Sequence, residues 1–242
     1  MLTLRLEEDL FGEYPDLVVV GFYASNVRDL AIDDDGALAA AAEALHAAGV
    51  SAENLIQDRR IADWRDAYRS QGLRASTYRS SPEALARRAL RGRLPRTPVP
   101  LVNLYNAASL RHLAPIGGYD VARLPTRALR LRRVDPDADT FAPLGGGEPP
   151  PAQERVCVYA AEREILCWAF NHRDSAVSCL VEGTDQALFV GEGVTALQRP
   201  SVQDALTWLR AELAAAGAVV GALAVADRSA PSITFATEPD AL

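Results

Sequence analysis

Apolar and polar positions recur along the chain in patterns that predict both strands and helices. The continuous apolar run at residues 16–24 (DLVVVGFYA) is typical of a buried strand. Apolar residues at helical spacing predict a helix at residues 61–70, which ends before Gly72. Further helices are predicted at residues 37–48, 83–90 and 202–215, and further strands at 128–134, 155–159, 165–170, 186–190 and 232–236.

The middle of the chain is harder to assign. Three prolines in residues 93–100 (RLPRTPVP) predict an extended loop. After it we expect a short strand at residues 101–104, a short helix at 106–113 and a glycine-dependent turn at 115–118. Residues 145–151 (GGGEPPP) predict a second loop, the best candidate for disorder in the chain. Together the elements predict an α+β protein, a single compact domain with a mixed sheet and flanking helices.

Length and composition narrow the class of protein. The 242 residues, 49% of them hydrophobic, suffice for one sizeable core. No run of 18 apolar residues is present, so we expect no membrane-spanning helix. The acidic N-terminus (MLTLRLEED) lacks the apolar centre of a signal peptide. We therefore expect a soluble, cytoplasmic protein.

Cysteine and histidine usage gives little support for a metal site. Cys157, Cys167 and Cys179 are odd in number and not spaced as zinc ligands, which also argues against a disulfide framework. Cys157 and Cys167 lie in apolar contexts typical of buried, inert thiols. With only three histidines in the chain, we expect no metal and no cofactor.

The charges are unevenly distributed. All 25 basic side chains are arginines, and 17 of them lie in residues 59–133 beside only four acids. The rest of the chain has eight arginines and 28 acids, so the net charge is −7 although the middle third is strongly basic. A local positive field can attract a polyanion such as RNA. The alternative is a set of solvated helix faces that pair with the acidic flanks, and the charge pattern alone leaves both open.

General catalytic motifs are absent, but three polar clusters stand out. Neither a Walker loop nor a G-x-S-x-G elbow occurs. The first cluster joins residues 103–107 (NLYNA) to 115–120 (PIGGYD). Its backbone amides suit carbonyl or phosphate oxygens, although on its own the cluster is better explained by a helix cap and a structural turn. The second is residues 168–175 (WAFNHRDS), where aromatic residues run into polar ones. The third, residues 74–81 (RASTYRSS), precedes a helix start with Ser81 as N-cap, where phosphates are often bound.

These residues resemble a known family. Residues 102–124 (VNLYNAASLRHLAPIGGYDVARL) are similar, without a gap, to part of the editing domain of the phenylalanyl-tRNA synthetase β subunit, the B-three/B-four tRNA-binding module. Residues 174–178 (DSAVS) match its D-T-A-V-S segment, and the resemblance extends over residues 83–194. It implies one domain over 1–242, with an N-terminal α/β part (1–75), an editing-domain-like core (76–200) and a C-terminal helix and strand (201–242).

The resemblance implies a module that binds the aminoacylated 3′ end of tRNA and hydrolyses a wrong ester, which in the synthetase is tyrosine on phenylalanine tRNA. Tyr105 and Asn106 match the family's pocket-lining Thr-Asn pair, and Asp120 matches its acid. Gly117 stands where the synthetase has histidine. Because that imidazole is missing and Tyr105 replaces a smaller residue, we expect a pocket of different shape.

Specific roles follow as hypotheses. Catalysis needs a positioned water and oxyanion stabilisation, which we assign to Asn106 and the backbone amides near Gly117 and Gly118, with the terminal hydroxyl of the tRNA directing the water. The expected substrate-binding residues are Tyr105, Asn171, Arg173, Asp174 and Ser175, and the expected tRNA contacts are Arg74, Arg79, Arg87, Arg88, Arg93 and Arg96. Two alternatives stay open: a module that binds RNA or an amino acid without catalysis, and a domain that acts on free small molecules and has little salt-dependent RNA affinity.

Overall fold

The protein is an α+β domain with two β-sheets and a helical layer. The computed structural model describes residues 1–150 and 153–237. The strands are β1 Leu2–Leu6, β2 Val18–Ser25, β3 Ile116–Asp120, β4 Ala128–Arg133, β5 Cys157–Ala161, β6 Glu164–Trp168, β7 Arg173–Asp174, β8 Gln186–Gly193, β9 Val219–Val220, β10 Ala224–Ala226 and β11 Ser232–Phe235. The helices are α1 Leu10–Glu13, α2 Asp34–Ala47, α3 Arg59–Ser70, α4 Ser81–Ala89, α5 Pro100–His112 and α6 Arg199–Ala215, with short 3-10 turns at Leu55–Gln57 and Val121–Arg123.

The first sheet is mixed and has the strand order β11-β1-β4-β5-β6-β7. Its only parallel pair among the described strands is β1 with β4, and the other neighbours are antiparallel. The sequence of β1 alternates leucine with polar residues, and Leu2, Leu4 and Leu6 are fully buried. This period-2 pattern is a strand signal that we overlooked.

The second sheet is antiparallel, with the order β10-β2-β8-β3, and β9 also pairs with β2. The central strand β2 is buried on both faces, which explains its continuous apolar sequence. Val19 and Tyr23 face the core between the two sheets. Val18, Val20 and Phe22 face the opposite way, into a core shared with α5 and α6. The layers are therefore sheet, sheet and helices.

Helix α5 corrects the prediction of a strand at residues 101–104 followed by a helix at 106–113. A single helix begins at Pro100 and ends at His112, and nine of its residues from Leu101 to Leu110 are buried. It packs against α2, α4 and α6 as well as β3. Because such a helix is apolar on several faces, its sequence resembles that of a buried strand. Pro100, whose missing N–H is tolerated in the first turn, marks the start.

The predicted turn at residues 115–118 is also wrong, because Ile116–Asp120 is strand β3. The glycines serve close packing here. A Cβ atom on Gly118 would lie 2.8 Å from Leu180 Cδ1. On the partner strand β8, a Cβ on Gly191 would lie 2.8 Å from the Pro115 carbonyl oxygen. Glycine within a strand often marks such close approach of neighbouring chains.

Most other predicted elements are confirmed with shifted ends. The predicted strand at 155–159 begins two residues later, the one at 165–170 ends at Trp168, and β8 continues past residue 190 to Gly193. The helix predicted at 83–90 is α4, but its N-cap is Ser80, and neither Ser80 nor Ser81 makes a capping hydrogen bond. The loop predicted at 145–151 is confirmed for residues 145–150, and Pro151 lies outside the described residues. Strands β7, β9 and β10 were not predicted.

The strands of both sheets come from distant parts of the chain. In the first sheet β1 lies between β11, from the C-terminal part, and β4, from the middle. The division at residues 75 and 200 stays a prediction. None of the helices within the described ranges has the length and apolar character of a membrane span.

Candidate functional site

A small cavity lies between the two sheets, beside the start of α4. Its volume is about 30 Å³, room for one or two water-sized groups. The inner end is buried and includes Tyr159 and Glu192, whereas the residues Ser81, Gly117 and Asn171 on its rim are partly exposed. Its polar side chains are Ser81, Tyr119, Tyr159, Asn171, Asp174 and Glu192, and Cys167 also lines it.

Glu192 is the most deeply buried charge of the cavity, with 2% of its surface exposed. It lies near the end of β8, opposite Val19 of β2. Its Oε2 accepts a hydrogen bond from the Tyr159 hydroxyl at 3.0 Å, and its Oε1 accepts one from Asn171 Nδ2 at 2.8 Å. Burial raises the pKa of Glu192 to about 7, which these two hydrogen bonds counteract in part and the nearby Asp174 reinforces. A carboxyl group with that pKa changes between its protonated and ionised forms near neutral pH.

Asn171 connects three elements around the cavity. Its Oδ1 accepts hydrogen bonds from the Ser81 backbone N–H at 3.0 Å and from the Tyr68 hydroxyl at 3.1 Å. Since the oxygen has donors on one side, the amide nitrogen must face Glu192. Two preceding residues, Ala169 and Phe170, have positive φ angles of 51° and 60°. A positive φ costs energy in a non-glycine residue and persists where the surrounding structure holds the backbone in place. Here it fixes the direction of the Asn171 side chain.

Asp174 is the second carboxylate of the cavity. It lies on β7, paired with Cys167 of β6. Burial raises the pKa of Asp174, and the adjacent Cys167 thiol offsets part of that effect. The pKa of Cys167 itself is raised well above its usual value by burial, so this thiol is protonated at neutral pH and is a poor nucleophile. None of the described residues lining the cavity is an arginine or a histidine.

Three of the residues predicted from the sequence meet at this cavity: Gly117, Asn171 and Asp174. The two other proposed catalytic residues lie elsewhere. Asn106 is a buried residue of α5 that does not line the cavity, and Gly118 faces Leu180 on the other side of β3.

The remaining predicted substrate-binding residues support neighbouring structure. Tyr105 packs edge-on against Phe189, with ring centroids 6.5 Å apart. Arg173 donates to the carbonyl oxygens of Leu144 and Gly146 and so holds that loop. Ser175 Oγ accepts a hydrogen bond from the Val177 N–H at 3.1 Å within a turn.

Asp120 has a structural environment. Its Oδ1 accepts from the Ala122 N–H at 3.0 Å, and its Oδ2 accepts from the Thr184 hydroxyl at 2.7 Å. Both carboxylate oxygens are therefore used to fix the end of β3.

The six predicted tRNA-binding arginines divide into two groups. Arg79, Arg87 and Arg96 form ion pairs with carboxylates, the first two with the fully buried Glu83 and the third with Asp35. Arg74, Arg88 and Arg93 are exposed and have no ion pair within the described residues. Among these six, Arg96 pairs with the acidic flanks and Arg79 and Arg87 pair with Glu83 of the basic stretch itself, while Arg74, Arg88 and Arg93 stay accessible to a polyanion.

Four polar residues of the cavity were not predicted as site residues: Ser81, Tyr119, Tyr159 and Glu192. Glu192 carries a sequence signal, since it is a single charge in the otherwise uncharged run of residues 186–195. The strand was predicted to end at residue 190, which excluded Glu192 from consideration as a buried group. Tyr159 follows an apolar strand pattern and had no distinguishing signal.

The fold and the cavity thus define an α+β domain with two carboxyl groups, the buried Glu192 and the half-buried Asp174, at a cavity between two sheets. Residues 63–207, more than half of the chain, match the family model of the B3/4 domain. The chain belongs to the B3/4 domain family, which confirms the expectation from residues 102–124.

Comparison with solved structures gives a distant similarity to an N-terminal fragment of the phenylalanyl-tRNA synthetase β subunit from Pyrococcus horikoshii. The TM-score is 0.48 and the sequence identity 11%, over 90% of this chain and 49% of that chain. This chain therefore spans about half the length of that structure. A search of curated proteins finds no match.

Proposed function

We propose that the protein binds the aminoacylated 3′ end of tRNA and hydrolyses the ester of mischarged aminoacyl-tRNA in trans. The observation that supports this best is the convergence of Gly117, Asn171 and Asp174, distant in sequence, on one cavity within the segment that matches the B3/4 domain. This proposed function implies a cytoplasmic location, where the tRNA is found.

The rim at Gly117 suits the reacting ester. A Cβ atom added at Gly117 would meet no other atom within 4 Å, so the space beside the β3 backbone is open. The ester carbonyl can approach the backbone there, while the aminoacyl group reaches inward towards Asn171 and Glu192. Aminoacyl esters are activated, so a positioned water and the terminal hydroxyl of the tRNA suffice without a protein nucleophile.

The exposed arginines provide contacts for the tRNA backbone. The carbonyl oxygen of Arg79 lies 2.9 Å from His172 Nδ1, next to Asn171, so Arg79 is close to the rim. Arg88 lies at the far end of α4, roughly 10 Å along the helix axis. Together with Arg74 and Arg93, these side chains offer positive charge for phosphates that lead away from the bound 3′ end.

A panel of aminoacyl-tRNAs tests the proposal. Each correctly or wrongly charged tRNA is incubated with the protein, and ester loss is compared with that in buffer. We expect accelerated loss for at least one mischarged tRNA. No acceleration for any member of a panel covering all amino acids overturns the proposal.

A second function, binding without hydrolysis, is favoured by the lack of a histidine among the described residues that line the cavity. The same panel separates the two, because a pure binder slows spontaneous ester loss. A domain for free amino acids gives neither acceleration nor protection.

A further inference from the structure

We propose that the cavity is a binding site for a primary ammonium group and takes the α-ammonium of the aminoacyl ester. Only the identity of the ligand as an aminoacyl ester rests on the proposed function. The ammonium site itself is argued from the cavity's size, charge and open hydrogen-bonding capacity.

The size of the cavity selects a small group. A volume of about 30 Å³ holds one or two water-sized groups, which is the size of an ammonium ion. An aromatic or branched side chain needs several times that space. The deep end of the cavity therefore suits the amino group of a ligand whose remaining parts lie outside the rim.

The charge of the cavity selects a cation. Glu192 and Asp174 both line it, and no arginine or histidine among the described lining residues balances them. A carboxylate held away from water without a cation is costly, and the loss of water contact raises the pKa of the buried Glu192 and of the half-buried Asp174. An ammonium group supplies the missing positive charge and allows both carboxyls to ionise. An anionic ligand is repelled.

Two hydroxyls offer further hydrogen-bonding capacity. The Tyr119 side chain is 3% exposed, lines the cavity, and its hydroxyl makes no hydrogen bond within the described residues. The Ser81 Oγ is buried and also has no partner there. A buried polar atom such as the Ser81 Oγ is rarely left unpaired in native proteins. An ammonium group has three N–H donors, and Glu192, Asp174 and these hydroxyls are the acceptors available for them.

This arrangement predicts discrimination against blocked amino groups. An N-acetylated aminoacyl group is uncharged and too large for the cavity. A tRNA that carries it therefore leaves Glu192 and Asp174 without a cation. Sites built around hydrogen bonds to one group reject analogues that lack it by large factors. Binding of the cation also releases a proton near pH 6, because Glu192 is mostly protonated there in the unoccupied protein.

The first experiment addresses the cavity without any tRNA. The thermal midpoint of the full chain is measured at pH 7 with methylammonium, tetramethylammonium or potassium chloride at equal ionic strength. We expect saturating methylammonium to raise the midpoint by about 3 °C, with no comparable rise in the other two salts. The rise is expected to disappear in Glu192→Gln and, as a second variant, in Asp174→Asn. An equal rise in potassium, or a rise retained in both variants, overturns the ammonium site.

The second experiment uses the tRNA that the protein deacylates fastest, charged either with the free amino acid or with its N-acetyl form. We expect cleavage of the acetylated form to be slower by about 10²-fold. Equal cleavage of both overturns the assignment of the α-ammonium of the aminoacyl ester to the cavity but leaves the hydrolysis intact. Methylammonium binding without cleavage of any tRNA supports the ammonium site and overturns the proposed ester hydrolysis. No effect of methylammonium, together with no cleavage of any tRNA, overturns both the ammonium site and the hydrolysis.

Discussion

The amide nitrogen of Asn171 lies 2.8 Å from Oε1 of Glu192. This hydrogen bond joins the loop after β6 to the end of β8, and so connects the two sheets at the cavity. The oxygen of the same amide accepts from the start of α4. Asn171 therefore holds the rim and the inner carboxylate of the cavity in one arrangement.

Substitution of Asn171 by alanine tests this structural role. The change leaves the Ser81 N–H, the Tyr68 hydroxyl and Glu192 Oε1 each without a partner. We expect the free energy of unfolding, measured in urea, to fall by about 3 kcal/mol, since three groups in partly buried hydrogen bonds lose their partner and each costs about 1 kcal/mol, the low end of the range for unpaired groups. Asn54→Ala is the control, because Asn54 makes its two hydrogen bonds in an exposed turn. Equal losses in both variants contradict the role assigned to Asn171.

The pKa of Glu192 predicts a pH dependence of stability. The folded state raises that pKa from 4.5 to about 7, so folding favours the protonated form. The group's contribution is fully present below about pH 4.5 and is lost as pH rises through 7. Wild type should lose about 3 kcal/mol through this group between pH 5 and 8, whereas Glu192→Gln should not. Unfolding free energies of the two proteins that stay parallel from pH 5 to 8 speak against the raised pKa.

Gly117 is expected to matter for the ligand and not for the fold. A Cβ atom at Gly117 meets nothing within 4 Å, and the same holds for Gly183 outside the cavity. Both Gly→Ala variants should keep their unfolding free energy within about 0.5 kcal/mol. Gly117→Ala should slow deacylation about tenfold or more, because it fills the space beside β3. A fully active Gly117→Ala protein shows that the ester binds elsewhere.

The exposed arginines predict a salt-dependent affinity for tRNA. Arg88→Gln and Arg93→Gln should each weaken binding and reduce the slope of log K against log salt by about 0.7–0.9 per lost phosphate contact. Arg163→Gln is the matched control, because Arg163 is also exposed but lies in the turn between β5 and β6, outside the basic stretch. The assignment of Arg88 and Arg93 to phosphate contacts fails if all three variants show the wild-type slope of log K against log salt.

Much of the fold could be predicted from local patterns. The apolar run of β2 and the helical spacing of α3 each identify one element without ambiguity. Helix α5 was mistaken because burial on several sides removes the period that separates a helix from a strand. The glycines of β3 were read as a turn, although tertiary packing against Leu180 is what requires Gly118.

The candidate site was predicted only in part. Gly117, Asn171 and Asp174 lie in segments that resemble the family, and the fold brings them to one cavity. Glu192 was missed because its role depends on burial between two sheets, which local sequence does not show. Asn106 was assigned to the site from the resemblance, with a predicted strand ending just before it at residue 104. In the structure it is part of helix α5, and its side chain does not line the cavity.

Single-turnover deacylation by Glu192→Gln tests the central claim most directly. The substrate is the mischarged tRNA that wild type cleaves fastest, and Arg163→Gln serves as the control. We predict a rate about 10²-fold lower for Glu192→Gln and a rate within about twofold of wild type for Arg163→Gln. A Glu192→Gln protein that cleaves the ester at the wild-type rate contradicts the account.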